Sequence, residues 1–150
     1  VKAASTLSGR VAARFGEPIE TPFACLNRLA PTPERLAAAR SGELARLGIT
    51  KSRADSIRAV ARSVARNELD LAPGTDPPGV AAALVQLPGI GGWTAEYVAM
   101  RALRWPDAFP GGDLGLLRAS GLKSARSLGE LADKWRPWRA YAAMHLWDSL

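Results

Sequence analysis

The run Leu87-Pro88-Gly89-Ile90-Gly91-Gly92 constrains this chain more than any other stretch, because it forces a tight reversal between two segments that otherwise read as helix. Pro88-Gly89 sets a turn, and Gly91 and Gly92 permit close approach of another backbone. Apolar helical sequence leads in over 79–87 and leaves over 93–103. A hairpin of this kind turns main-chain N–H groups outward with no side chain above them. The amides that open the second helix add an anion-binding end whose dipole has the right sign. The bland reading is a tight αα-turn with glycine there only for lack of space. With Trp93-Thr94-Ala95 directly behind it, the pattern favours contact with a DNA backbone through Pro88, Gly89, Ile90, Gly91, Gly92 and Thr94.

The flanking sequence is helical almost throughout, which predicts an all-α fold, a compact bundle of short helices containing this helix-hairpin-helix. Ala3, Leu7, Val11 and Phe15 recur at four-residue steps before a stop at Gly16. Thr32-Pro33 is a helix entry, a hydroxyl cap followed by proline in the first helical position. Ser41 opens a short helix ending at Gly48, and Thr50 caps a long one over 51–67 with Ala54, Ile57, Val60, Ala61 and Val64 on one face. The prolines and glycine of 70–78 (Pro73, Gly74, Pro77, Pro78) read as a connecting loop, and 104–112 as another. Ser127 and Glu130 predict a capping box for a helix through Lys134, and Pro137 predicts the start of the last helix, through Trp147. No alternating strand pattern, repeat or low-complexity tract is present. The first periodic pattern starts with no Ser, Thr or Asp ahead of Val1 to cap it, so a piece of a longer protein is expected.

Composition narrows the partners. A chain of 150 residues fits one domain with one substantial core. Twenty Lys+Arg against fourteen Asp+Glu leave a net charge of +6, which favours a polyanion. The arginine bias itself carries less weight: high Ala and Arg with only four lysines (Lys2, Lys51, Lys123, Lys134) also describes a GC-rich, bacterial genome. Cys25 is the single cysteine, which excludes an intramolecular disulfide and any zinc or iron–sulfur site built on several cysteines. A reducing cytoplasm follows as the expectation, and the apolar neighbours of Cys25 predict a small core residue. No apolar run is long enough to span a membrane.

Three further features point to chemistry. Asp113 follows Pro110-Gly111-Gly112 and precedes Leu114-Gly115-Leu116-Leu117. That is the position of an ordinary N-cap, and the same geometry holds an ionised carboxylate at a fixed point. Trp93, Tyr97, Trp105, Trp135, Trp138, Tyr141 and Trp147 crowd the second half, with Trp93 and Tyr97 on one face of the helix after the hairpin. Such a pair is usually core, but a groove that receives an extruded base needs aromatic faces too, and a cationic base gains from them. Spacing alone leaves both readings open. His145, the only histidine, lacks a nucleophile or metal-ligand partner and reads as structural. Zincin, nucleophile-elbow, phosphate-loop and zinc-deaminase signatures are all missing.

Taken together, these residues form a recognisable set. Leu87 through Arg101 resembles the helix-hairpin-helix of the 3-methyladenine DNA glycosylase II family. Asp107-Ala108-Phe109-Pro110-Gly111-Gly112-Asp113-Leu114-Gly115 resembles that family's loop bearing its catalytic aspartate. Trp135-Arg136-Pro137-Trp138-Arg139-Ala140-Tyr141, followed by His145 and Trp147, resembles its C-terminal signature. Pro31-Thr32-Pro33-Glu34-Arg35-Leu36 and Leu47-Gly48-Ile49 are similar to its upstream segments, so the likeness covers essentially the whole chain. The twenty residues from Trp93 to Asp113 also match the superfamily's spacing.

The resemblance implies a monofunctional DNA glycosylase that hydrolyses the N-glycosidic bond of alkylated purines in duplex DNA, as a monomer and with no required cofactor. It implies Asp113 as the catalytic carboxylate and Trp93, Tyr97 and Trp147 as base-pocket aromatics. A Na⁺ or K⁺ ion at the backbone carbonyls of Val85, Leu87 and Ile90 is a weaker implication. Bifunctional relatives carry a lysine where this chain has Trp93, so no Schiff-base nucleophile and no strand cleavage are expected. The family's β-rich N-terminal domain and first helices are expected to precede the equivalent of Val1, leaving 1–150 as a single helical glycosylase domain truncated at its start. The rivals are a non-catalytic helix-hairpin-helix DNA-binding module and an inactive glycosylase fragment. The binding module leaves the placement of Asp113 and the late aromatics unexplained, and an Asp113 carboxylate grouped with Trp93, Tyr97 and Trp147 discriminates against it.

Overall fold

The structure, a computed structural model, describes residues 2–72 and 74–150; the readings that touched Val1 and Pro73 lie outside the described residues. Among these residues it is all-α: α1 (Lys2–Phe15), α2 (Pro33–Ala38), α3 (Ser41–Arg46), α4 (Lys51–Ala65), α5 (Pro77–Val85), α6 (Gly92–Arg101), α7 (Leu114–Ser120), α8 (Ala125–Ala132) and α9 (Arg139–Asp148), with one 3₁₀ turn at Asp133–Trp135. No helix among them is long and apolar enough to cross a membrane. By internal contacts the chain falls into two compact units: one running to Leu69 and taking in Leu87–Gly89, the other comprising Asp70–Gln86 and Ile90–Leu150.

In the first unit the predicted stripes meet. Leu44, Ile49 and Ala54 are buried together, and Leu7, Val11 and Phe15 of α1 and Ile57 of α4 pack against them. The four-residue recurrence that predicted α1 thus supplies one wall of this core. Thr32 caps α2, its hydroxyl accepting the Arg35 amide, with Pro33 in the first turn as expected. Two caps differ from expectation. Thr50 occupies the N-cap position of α4 but makes no side-chain cap bond. Arg40 holds the N-cap position of α3, where the Glu43 carboxylate accepts its amide, and the Ser41 hydroxyl instead donates to Asp55. Cys25 is exposed and not core: it lies in an irregular excursion between α1 and α2, closed by a lone antiparallel bridge between Pro18 and Arg28, with Phe23 and Leu26 exposed beside it. Apolar neighbours mislead there because the segment forms no helix to turn them inward.

The second unit carries α5 to α9. α5 packs on α6, with Ala81, Leu84, Ala95 and Ala99 buried, and α7 packs on α9 and α8, with Leu116, Leu128 and Ala143 buried. Three boundaries are corrected. α5 starts at Pro77 because Asp76 caps it, accepting the Gly79 amide, so part of the expected 70–78 loop is helix. α8 starts at Ala125, two residues before Ser127: Ser124, in extended backbone, accepts the Ser127 amide, and Glu130 pairs with Arg126 instead of closing a capping box. The last helix begins at Arg139, not Pro137. Arg136 is extended, as a residue before proline tends to be, and Trp138 takes the N-cap position. Although residues 102–113 are irregular, they are not superficial: Leu103, Asp107, Ala108, Phe109 and Pro110 are all buried.

Candidate active site

Asp113 sits at the N-cap of α7 in extended backbone, as its sequence position predicts, and its Oδ1 accepts the Leu116 amide at 2.9 Å. The same carboxylate collects two more donors from distant parts of the second unit. The Trp147 indole Nε1 donates to Oδ1 at 2.9 Å, and the Trp93 indole Nε1 donates to Oδ2 at 2.8 Å. Trp93 stacks on Tyr97 with ring centroids 5.2 Å apart and planes 8° from parallel, the outcome of their one-turn spacing on α6. Trp147, on α9, meets Tyr97 edge-on at 6.1 Å. The four residues named from sequence are therefore one cluster, and the two aromatics on α6 remain well exposed at 43% and 37%. A large aromatic pair left in solvent beside a carboxylate is a surface suited to a flat, cationic ring.

The electrostatics follow from these contacts. Partial burial pushes the Asp113 carboxyl upward, but the Trp147 indole, the Leu116 amide, the Trp93 indole and the Gly115 amide together outweigh it and hold it below the ordinary aspartate value. The group is thus an anion at neutral pH and a weak proton acceptor. Gly115 leaves the carboxylate its room: a Cβ there would stand 2.9 Å from Oδ1 and 3.4 Å from Trp147 Cδ1.

Four residues of this region escaped the sequence reading as site residues. Asp107 is buried and takes both Arg139 Nε, at 2.7 Å to Oδ1, and Arg136 Nη1, at 2.6 Å to Oδ2. Arg139 Nη2 adds bonds to Oδ2 at 3.0 Å and to the Asp107 carbonyl at 2.8 Å. Glu96 Oε2 accepts the Phe109 amide at 2.9 Å. One signal was available: an aspartate next to Ala108-Phe109-Pro110 is drawn toward the interior and needs a cationic partner if buried. Which arginine supplies it, some thirty residues on, has no local trace. His145 is exposed and makes no side-chain hydrogen bond among the described residues.

At the hairpin, Gly89 takes the left-handed conformation at φ 75°, and a Cβ there would also collide with the Ser56 hydroxyl. Glycine is therefore required on both counts. Gly91 is the N-cap of α6 and has no side chain to cap with, so the opening amides of a ten-residue helix are left without a side-chain acceptor. Pro88 and Gly89 are exposed and pack with the first unit; Gly91 and Gly92 are exposed, Ile90 and Thr94 half-buried, and these four lie in the second. Of the carbonyl residues expected to hold a cation, Leu87 belongs to the first unit and Val85 and Ile90 to the second.

Comparison with known proteins agrees with this picture. The family model described as HhH-GPD superfamily base excision DNA repair protein matches residues 1–133. A Mycobacterium tuberculosis protein named "Probable bifunctional transcriptional activator/DNA repair enzyme AlkA" is 43% identical over 153 residues, covering 99% of this chain and 30% of that protein. DNA-3-methyladenine glycosylase 2 of Escherichia coli is 35% identical over 150 residues, covering 98% of this chain and 51% of that protein. The chain thus spans about half or less of the length of these curated relatives. Among solved structures, a 3-methyladenine DNA-glycosylase from Archaeoglobus fulgidus matches with a TM-score of 0.78 at 24% identity, over 97% of this chain and 51% of that one, a likeness of fold.

Proposed function

The chain belongs to the HhH-GPD superfamily of base excision DNA repair proteins, and we propose that it is the catalytic part of a glycosylase removing alkylated purines from duplex DNA. The observation that carries this reading is the Asp113 carboxylate held by two indole N–H groups beside the exposed Trp93–Tyr97 stack. The names of the relatives, DNA-3-methyladenine glycosylase 2 among them, support the same substrate class.

In this reading the uncapped amides at the start of α6, with Ile90 of the turn before them, hold DNA phosphates. The lesion swings out of the stack and lies against Trp93, Tyr97 and Trp147, where a cationic methylated purine gains most from the ring faces. Its positive charge already makes it a good leaving group. The C1′–N bond breaks with its electron pair leaving on the purine, and positive charge develops on the sugar. Asp113 stabilises that charge electrostatically. Water then bonds to C1′ and releases one proton to the surrounding solvent, giving a free base and an abasic sugar. Because its hydrogen bonds lower its proton affinity, Asp113 acts chiefly as a fixed negative charge that orients this water, not as a strong base.

Trp93 offers no amine to attack C1′, so the step ends at base removal without a covalent enzyme–DNA adduct. Incubation with alkylated duplex DNA is expected to release methylated purines above the spontaneous rate, with no borohydride-trappable adduct. Release no faster than in buffer, or a trapped adduct, would contradict the proposal.

A further inference from the structure

The geometry points to Asp107, Arg139 and Glu96 as positioning residues that hold the Asp113 carboxylate against its two indole donors. Two closed circuits carry the argument. In the first, the loop from Asp107 leads to Asp113, Asp113 accepts the Trp147 indole, α9 runs back from Trp147 to Arg139, and Arg139 grips Asp107 through its carboxylate and its carbonyl. Arg139 opens α9 and Trp147 lies about 12 Å further along it. One guanidinium therefore fixes both the loop that carries the carboxylate and the helix that carries its donor. In the second circuit, Phe109 leads to Asp113, Asp113 accepts the Trp93 indole, and Glu96, one turn along α6 from Trp93, accepts the Phe109 amide.

Between these anchors the loop has little freedom. The Pro106 carbonyl accepts the Ala140 amide at 2.9 Å, the Gly111 amide bonds the Phe109 carbonyl at 2.8 Å, and the Asp113 amide bonds the Pro110 carbonyl at 2.9 Å. Pro110 is itself fully buried. Arg139 and Asp107 are almost wholly enclosed, with 14% and 11% of their side chains accessible, so the pair is shielded from competing water. An ion pair kept only for stability has no need of three bonds from one guanidinium to one loop residue, and a planar fork is what such a grip requires. Lysine, with a single point charge, cannot reproduce it.

The inference rests on the glycosylase reading for its effect on rate, whereas its geometric content is measurable without turnover. Hydrogen exchange and chemical shift of the indole N–H groups, read by nitrogen-labelled NMR, report the two bonds directly. In Arg139→Lys and Asp107→Asn, exchange at Trp93 and Trp147 is expected to speed at least tenfold, while the exposed Trp138 indole is unchanged. Glu96→Ala is expected to act mainly on Trp93. Leu128→Ala, a cavity-forming change at a buried position on α8 outside both circuits, serves as the destabilised control, in which exchange at both indoles is expected to stay within twofold of the parent. Exchange within twofold of the parent in Arg139→Lys and Asp107→Asn would overturn the inference, as would equal acceleration in Leu128→Ala. In the same preparations, single-turnover excision by Arg139→Lys should fall about tenfold with DNA affinity within twofold. Normal excision by an Asp113→Asn variant would sink the glycosylase reading alone, and the indole exchange would still decide this one.

Discussion

Asp113 meets two demands with one side chain: it caps α7 through Leu116 and presents a negative charge held by two indoles. Trp147 is the residue where these demands can be separated, because its ring and its N–H do different work. Trp147→Phe keeps an aromatic edge near Tyr97 and removes one donor. With that donor gone, the Asp113 carboxyl moves up toward the ordinary aspartate value. In the proposed mechanism the ionised form is the active one, so excision falls as pH drops through the folded-state value of this carboxyl, and the acid limb of the pH–rate profile is expected to shift to higher pH than in the parent. The stability link has the same sign: a carboxyl lowered in the folded state contributes stability above its unfolded value, and this contribution disappears as pH falls through the folded one. The rate of the phenylalanine variant at neutral pH should drop about tenfold, in line with losing one hydrogen bond to a partly exposed charge. Trp147→Ala should also lose discrimination between methylated and normal purines. Unchanged discrimination by the alanine variant would remove Trp147 from the base pocket.

At the scale of elements, α7 allows the cap to be tested apart from the chemistry. Asparagine caps a helix as well as aspartate, whereas alanine does not. Asp113→Asn keeps the cap but loses the charge and one indole bond, so it should melt below the parent, and Asp113→Ala should be about 1 kcal/mol less stable again; equal melting of the two variants would show that the cap contributes nothing. Caps also explain how far the sequence could be read. Asp113 and Thr32 are legible because a capping side chain next to a turn or a proline is a local signal. Asp76-Pro77 carries the same signal as Thr32-Pro33, yet it was obscured by the neighbouring prolines. Ser124 and Ser127 compete as caps for α8, and only backbone conformation settles the choice for Ser124. Pro137 looks like a helix start, but the extended Arg136 and the N-cap at Trp138 delay α9 to Arg139. What the residues could not convey was convergence. Trp93, Asp113 and Trp147 are distant in sequence, and the Asp107–Arg139 grip links residues 32 apart. Such contacts depend on how helices pack, which residue-by-residue propensities do not encode. The resemblance to a known family, not periodicity, groups the first three; it includes Glu96, Asp107 and Arg139 in its motifs but gives them no role.

For the whole molecule, charge is the property that bears most directly on a nucleic-acid partner. The surplus of six positive charges is distributed mainly over arginines, and Arg46, Arg53, Arg62, Arg101, Arg104 and Arg118 make no ion pair among the described residues. Such side chains are available to phosphates. Neutralising even four phosphates would cost about a hundredfold in affinity between 50 and 200 mM salt. DNA affinity should accordingly fall linearly on a log–log plot against salt, with a slope steeper than about −3; a flat response would argue against backbone contact. Salt dependence, however, is common to every basic DNA-binding domain, catalytic or not. The claim specific to this chain is that its carboxylate performs the excision. The direct measurement is single-turnover release of methylated purine by Asp113→Asn against the parent, with DNA affinity measured in parallel. Excision should fall on the order of 10²–10³-fold while affinity stays within about twofold, and excision at the parent rate would contradict the account.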